Sequence, residues 1–272
     1  MARRRRLLAL VALAGMLALS GCVGFFGGGS VSDERLDQSP PGGEYDWNKS
    51  VDSGVNAHIT IHENATFSAV YAVNGSEVEL YRRDGLGGTT PLSVRAVRYR
   101  YPNGTVITGS ELAERGAVER TRDVVRIDFP GEGDADGDRV AFTAGSTPKR
   151  FALPTYVQGS YEVVLPPNRR VSLPVFGDVS PGGATTSVDE ENRLHVRWDD
   201  VQAQSVIVQF YLPQDIRIFG AVFALLAVVG GGGLLYYRRQ IDALREQREE
   251  LGLDVDTGDD DLGDDGPPPG MR

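Results

Sequence analysis

One thiol, three imidazoles and a short run of alternating aspartates are the residues whose types and spacing bear most directly on chemistry. Cys22 is the only cysteine, so no intrachain disulfide is available. It ends the quartet Leu19-Ser20-Gly21-Cys22, where an apolar run from Leu7 to Leu19 gives way to glycine, and Arg3 to Arg6 precede that run. The run is too short to cross a bilayer as a helix. A basic stretch, an apolar stretch and then small residues is the layout of an export signal. The quartet resembles a lipobox, in which the thiol is alkylated by a lipid and the chain is cut just before it. Cys22 is therefore expected as the lipid attachment site and first mature residue. Arg4-Arg5-Arg6-Leu7-Leu8 also fits the twin-arginine core, and the arginine run serves either export route.

His58 and His62 are four apart, which on a helix would set two zinc ligands on one face. Ile59 and Ile61 alternate with them, so the segment reads as a strand with His58, Thr60 and His62 facing outward. His195 is the only other histidine, and no metal site is expected. Asp134, Asp136 and Asp138 begin like a calcium loop, but Arg139 and Gly145 stand where glycine and glutamate are needed, so a solvated acidic turn is expected. There is no Gly-x-Ser-x-Gly, no phosphate-cradling loop and no dinucleotide fingerprint. No cofactor is expected. Trp47, Trp198, Tyr99, Tyr101, Phe151, Tyr156, Tyr161, Phe210 and Tyr211 are the aromatics of a glycan platform or of a core, and in a β protein the core is the expectation. Asn48, Asn64, Asn74 and Asn103 each begin an Asn-x-Ser/Thr sequon and are candidate N-glycosylation sites. Asn-Gly at 74 and 103 is equally turn chemistry.

The elements that must position these residues follow from composition and periodicity. The formal net charge is −10, and Lys49 and Lys149 are the only lysines among 28 basic residues. Acidic excess with scarce lysine fits a protein from a salt-loving archaeon, where charge serves solubility rather than steering, since at about 1 M salt the Debye length is about 3 Å. No basic stripe lies outside the membrane flanks, so nucleic acid is not an expected partner. Residues 22–55 are rich in Gly, Ser, Pro and acids and predict a flexible tether.

From Ala57 on, the period is that of strands. Ile59 and Ile61, then Phe67, Ala69, Tyr71 and Val73, alternate with polar residues, and Asn74-Gly75 predicts a hairpin before Val78 and Leu80. A strand through Val94–Tyr101 ends at a Pro102-Asn103-Gly104 turn. Further strands are expected at Val124–Phe129, Val140–Ala144, Tyr161–Leu165, Val171–Phe176, Leu194–Trp198 and Ser205–Leu212, with one short helix near Ser110–Arg115. The expected fold class is mostly β, an antiparallel sandwich over residues 56–215. Either one domain or two small ones fits, with 130–139 the candidate boundary.

Ile218 to Tyr237 carry no charge and suit one membrane crossing, so a transmembrane helix is expected over 216–237. Arg238 and Arg239 follow at once, which puts the C-terminus in the cytoplasm and the β-domain outside. The pairs Arg238 with Asp242 and Arg245 with Glu249, and the apolar Ile241, Leu244 and Leu251, predict a cytoplasmic helix over 238–252 before an acidic disordered tail, 253–272. Gly220, Ala224, Ala227 and Gly231 form a small-residue seam on which a homodimer could pack.

Taken together, "SVSDERLD", "VELYRRDG", "RYRYPNGTV", "AFTAGSTPKRFALPTYVQGSYEVVLPPNRRV", "LHVRWDDV" and "GGGGLLYYRRQI" resemble a family of haloarchaeal membrane proteins of uncharacterised function (DUF5803-like). The resemblance implies an exported β-rich domain on a C-terminal anchor and supplies no catalytic residues. The expectation is a non-enzymatic cell-surface lipoprotein, attached to the membrane by lipid and helix, that binds, assembles or senses envelope components. Its rivals are an exported hydrolase with a carboxylate site and a transmembrane signalling adaptor.

Overall fold

The computed structural model describes residues 29–250 except 53, 74, 86 and 131–136. The export signal, Cys22, Asn74, Asp134, Asp136 and the acidic tail lie outside the described residues.

Alternation builds the central strands. In β2 (Ala57–Ile61) and β3 (Thr66–Ala72), the residues Ala57, Ile59, Ile61, Phe67, Ala69 and Tyr71 enter the main core, while His58, Thr60 and Ser68 take the opposite face. With strands numbered along the chain, an eight-stranded sheet runs in the order β14 (Thr185–Val188), β15 (Leu194–Val201), β12 (Gly159–Val164), β2, β3, β10 (Arg139–Gly145), β6 (Arg95–Arg100) and β7 (Val106–Thr108). All its neighbours pair antiparallel except β2 with β12, which are parallel. A five-stranded sheet has the order β1 (Gly29–Ser30), β8 (Ala117–Arg120), β9 (Val125–Asp128), β4 (Glu77–Arg83), β5 (Thr89–Pro91). A three-stranded sheet has the order β11 (Arg150–Pro154), β16 (Ser205–Gln209), β13 (Asp178–Ser180).

One continuous core joins the three sheets. Phe67, Tyr71, Phe142 and Tyr161 of the large sheet share it with Leu80, Val125 and Ile127 of the second and Phe151, Leu153 and Val208 of the third. Phe67 meets Phe142 and Phe151 edge-on at 6.2 and 5.3 Å between centroids, geometry that aromatic pairs favour. The Tyr156 hydroxyl donates to the Tyr81 carbonyl at 2.5 Å, tying the loop after β11 to β4. The fold is therefore mostly β and antiparallel, in one compact unit that ends at Pro213.

Three local expectations change. Residues 29–55 are not simply a tether. β1 pairs with β8, α1 (Asp33–Leu36) buries Leu36 completely, and α2 (Trp47–Asp52) follows a buried Tyr45. Few apolar residues suffice because polar links do much of the docking: Arg98 donates to the carbonyls of Leu36, Asp37 and Gln38, and the Tyr45 hydroxyl donates to the Ala96 carbonyl at 2.6 Å. The chain around Gly75 does not close a hairpin, since β3 and β4 belong to different sheets. Residues Val171–Phe176 do not form a strand, because Phe176 and Gly177 both donate backbone N–H groups to the Leu173 carbonyl and close a turn around Pro174. The turn at 102–104 does join β6 to β7, with Asn103 Oδ1 accepting from the Thr105 amide.

α3 (Gly109–Arg115) matches its sequence signal and carries a capping box: Thr108 accepts from the Glu111 amide while the Glu111 carboxylate accepts from the Thr108 amide. Among the described residues the second unit is one helix, α4 (Pro213–Glu250), continuous through its apolar run and past Arg238 and Arg239. Its most apolar window has a mean hydropathy of 2.3, and it is long and apolar enough to cross a membrane.

Candidate functional site

The second face of the eight-stranded sheet carries every histidine of the chain. The parallel register sets His58 beside Glu162, and His195 lies one strand further on β15. Glu162 accepts from both: His58 Nδ1 lies 3.0 Å from Oε2 and His195 Nδ1 2.9 Å from Oε1. The other nitrogen of His195 faces Asp189 Oδ2 at 3.1 Å. Carboxylates only accept, so both contacts of His195 are made only when both ring nitrogens carry protons. His58 Nε2 stands 3.4 Å from the Thr60 hydroxyl. A row Asp189–His195–Glu162–His58–Thr60 thus crosses β15, β12 and β2.

Burial in this row differs from the sequence expectation. His58 does face away from the main core, as the alternation requires, yet it is only 3% exposed. Tyr45 packs with Val70, Ala96 and Ala141 on the same sheet face, so the N-terminal segment covers part of a surface that would otherwise be wet. The hydrogen bond from His58, joined by that from His195, pulls the Glu162 carboxyl down to about 2 against the upward push of burial. Asp189 is also held low, mainly by the Arg193 backbone N–H and then by His195.

Beside the row lies a cleft of about 450 Å³. Its floor is His58, Thr60, His62, Ser68 and Val70. One wall is Pro41, Gly42, Tyr45 and Lys49, and the other is Pro166, Pro167, Glu191 and Arg193. His62 Nε2 is 2.9 Å from Ser68 Oγ, which reaches Thr143 Oγ1 at 3.4 Å. Burial, then the charges of Arg193 and Arg95, keeps the His62 ring below its usual pKa. Charge in the walls is internally paired: Lys49 lies 3.3 Å from Asp46, and Arg193 lies 3.6 Å from Glu191.

Among the described residues no group of His, Cys, Asp or Glu is placed to hold a metal ion. His58 and His62 share a face but have separate partners, Glu162 and Ser68. Tyr99, Phe151, Tyr161, Trp198, Phe210 and Tyr211 are buried, while Trp47, Tyr101 and Tyr156 are partly buried and pack against core clusters. Of the sequons, Asn48, Asn64 and Asn103 are exposed. Glu162, Asp189, Ser68 and Tyr45 were not among the candidates from sequence. A glutamate on the polar side of "YEVV" is ordinary, and only the strand order brings two imidazoles to it.

A mostly β fold with a polar histidine row on one sheet face, followed by a helix able to span a bilayer, defines the class of protein. The chain belongs to the family of unknown function DUF5803, whose model matches residues 53–256. No curated protein matches it.

Proposed function

We propose that this is a single-pass membrane protein of the cell surface, lipidated at Cys22, whose exported β-domain is a non-catalytic binding module. In this reading the cleft above the sheet is the binding site for an envelope component. The observation that carries the reading is the commitment of the polar groups around the cleft. Both nitrogens of His195 and Nδ1 of His58 serve carboxylates, and the wall cations are paired with neighbouring acids. Such a surface is preorganised to hold a shape rather than to move a proton. Arg238 and Arg239 beyond the apolar part of α4 support a cytoplasmic C-terminus.

A photo-reactive residue at Glu44 or Glu63, on the cleft rim, tests the reading in whole cells. Discrete adducts that disappear when Thr60→Arg fills the cleft are expected. Adducts unaffected by Thr60→Arg would place binding elsewhere and overturn the assignment.

One observation favours a second reading, an exported hydrolase. Ser68 and His62 have the distance of a nucleophile and its base, and His62 is biased toward the neutral form. Against it, β3 is paired on both sides, by β2 and β10, so its amides are engaged in ladders and no spare N–H pair beside Ser68 is offered to an oxyanion. Ester hydrolysis lost in Ser68→Ala would establish this second reading.

A further inference from the structure

Val175 is 80% exposed, and Leu173, two positions away, is 40% exposed. Among the described residues before α4, Val175 is the most exposed large apolar one. The turn that presents it is held firmly. Phe176 and Gly177 donate to the Leu173 carbonyl at 2.9 and 2.7 Å, placing Pro174 and Val175 at the tip. Gly177 lies so close to the Val171 backbone that a Cβ there would stand 2.5 Å from the Val171 carbonyl oxygen, so the turn closes only around glycine.

The base of the turn is fixed to the segment that leads into α4. The Phe176 ring packs on Tyr211 at 6.0 Å, the Ser172 and Tyr211 hydroxyls are 3.0 Å apart, and Arg170 exchanges both backbone hydrogen bonds with Tyr211. β13, directly after the turn, pairs with β16.

Tyr211 and Ile218, the first residue of the uncharged run, are seven positions apart, and the last five steps are helical. At about 1.5 Å per helical residue and about 3.5 Å per extended one, at most about 15 Å of chain separates them, whatever the orientation of the helix. Headgroup layers are about 5–8 Å thick on each side of the hydrocarbon. A residue hydrogen-bonded to Tyr211 is therefore confined to the neighbourhood of the bilayer surface. Glu63, Lys149 and Arg169 border a depression with Phe210 and Leu212, at the end of the β-domain that leads into α4.

We infer that the Leu173-Pro174-Val175 turn inserts into the membrane surface, a second, non-helical contact of the β-domain with lipid. This rests on the reading of α4 as a membrane span. The turn fits lipid because its apolar side chains project from a rigid, hydrogen-bonded base, so insertion costs little ordering, and burial to about 5–10 Å would remove both side chains from water. Through Tyr211 and β16, the contact would restrict rotation of the β-domain about the end of α4.

The test uses the full chain in a Cys22→Ser background. Single cysteines at Val175, at Val106 (another exposed valine, on β7) and at Phe223 (within α4) carry an environment-sensitive fluorophore. The protein is reconstituted into phosphatidylcholine vesicles containing phosphatidylglycerol and spin-labelled lipid. Blue-shifted emission, with quenching by a shallow spin label, is expected at 175 and not at 106. Probe 223 should be quenched by a deep label. Emission at 175 matching that at 106, with 223 quenched, would overturn the inference and leave the membrane span standing. An unquenched 223 would overturn the span itself. Equal quenching at 106 and 175 would mean that the domain lies on lipid without using this turn, which also overturns the inference.

Discussion

Each oxygen of Glu162 receives one imidazole, so the residue joins three strands of one sheet through two charge-assisted hydrogen bonds. In Glu162→Gln one of those oxygens becomes an NH₂ that cannot accept, leaving one histidine facing a donor. A loss of about 1–3 kcal/mol is expected in denaturant unfolding, with Glu162→Ala costing more. The pH dependence carries the sharper signature. Glu162 titrates at about 2 when folded, below an ordinary value of 4.5. A depressed carboxyl contributes stability that is fully present above about 4.5 and is lost as pH falls toward about 2. His58 from β2 and His195 from β15 face it, and Arg197 is its register neighbour. The wild type should therefore lose stability across that acid window, and Glu162→Gln should lose less. Equal slopes in the two proteins would contradict the assignment. The alternation His58, Ile59, Thr60, Ile61, His62 made the facing of the histidines legible in the sequence. Their burial and their shared carboxylate were not legible, because cover comes from residues near Tyr45 and Glu162 arrives through a parallel pairing 104 residues away.

Strand positions were legible wherever apolar residues kept a period of two, as at Val140–Ala144 and Leu194–Trp198, and the capping box announced α3. Which strands pair was not legible, because pairing depends on sheet order: Gly75 has hairpin chemistry yet hands the chain to another sheet. Nor was the docking of residues 29–52 legible, since one leucine and one tyrosine inside a Gly- and Pro-rich stretch give no periodic signal. That docking makes two predictions. Leu36 is fully buried, so Leu36→Ala should cost about 2–5 kcal/mol, whereas in a tether it would cost nothing. Gly109 begins α3 where a Cβ would stand 2.8 Å from the Leu36 Cβ and 3.0 Å from the Val97 Cβ. Gly109→Ala should destabilise by about 1–3 kcal/mol through this overpacking, although alanine is the better helix former. Hydrogen exchange separates the causes. Both variants should speed exchange in α1 and at the Ala96 end of β6 before the amides of β2 and β3. Uniform acceleration across the sheet would mean that the N-terminal segment unfolds only with the whole core.

At the scale of the whole molecule, the proposed lipid at Cys22 and the apolar helix α4 would do different work. Transfer of a single acyl chain to a bilayer gives only marginal binding, whereas an apolar helix with a mean hydropathy of 2.3 over its best window is effectively permanent. Retention should therefore follow α4. Cys22→Ser is expected to leave the protein in the membrane fraction after a high-salt wash, with a mature mass lacking the lipid. Truncation before Pro213 with Cys22 intact should give partial, exchangeable attachment, and the combined change should release the domain. The order of these effects decides the topology: full release by Cys22→Ser alone would mean that α4 does not cross the bilayer. Where α4 does cross, the proposed lipid would act on orientation instead. With residues 29–52 docked rather than free, the slack between Cys22 and the folded domain is short, because β1 begins at Gly29. About seven residues reach at most about 25 Å. With a lipid on Cys22 and α4 in the bilayer, both ends of the β-domain would be held near the membrane, and a loop inserted at Leu173–Val175 would add a third point of contact. Cys22→Ser should therefore widen the range of domain tilts, read as a broader distance distribution between a label at Asn103 and the bilayer surface, and a flexible spacer inserted after an intact Cys22 should widen it too, because it keeps the lipid but lengthens the slack.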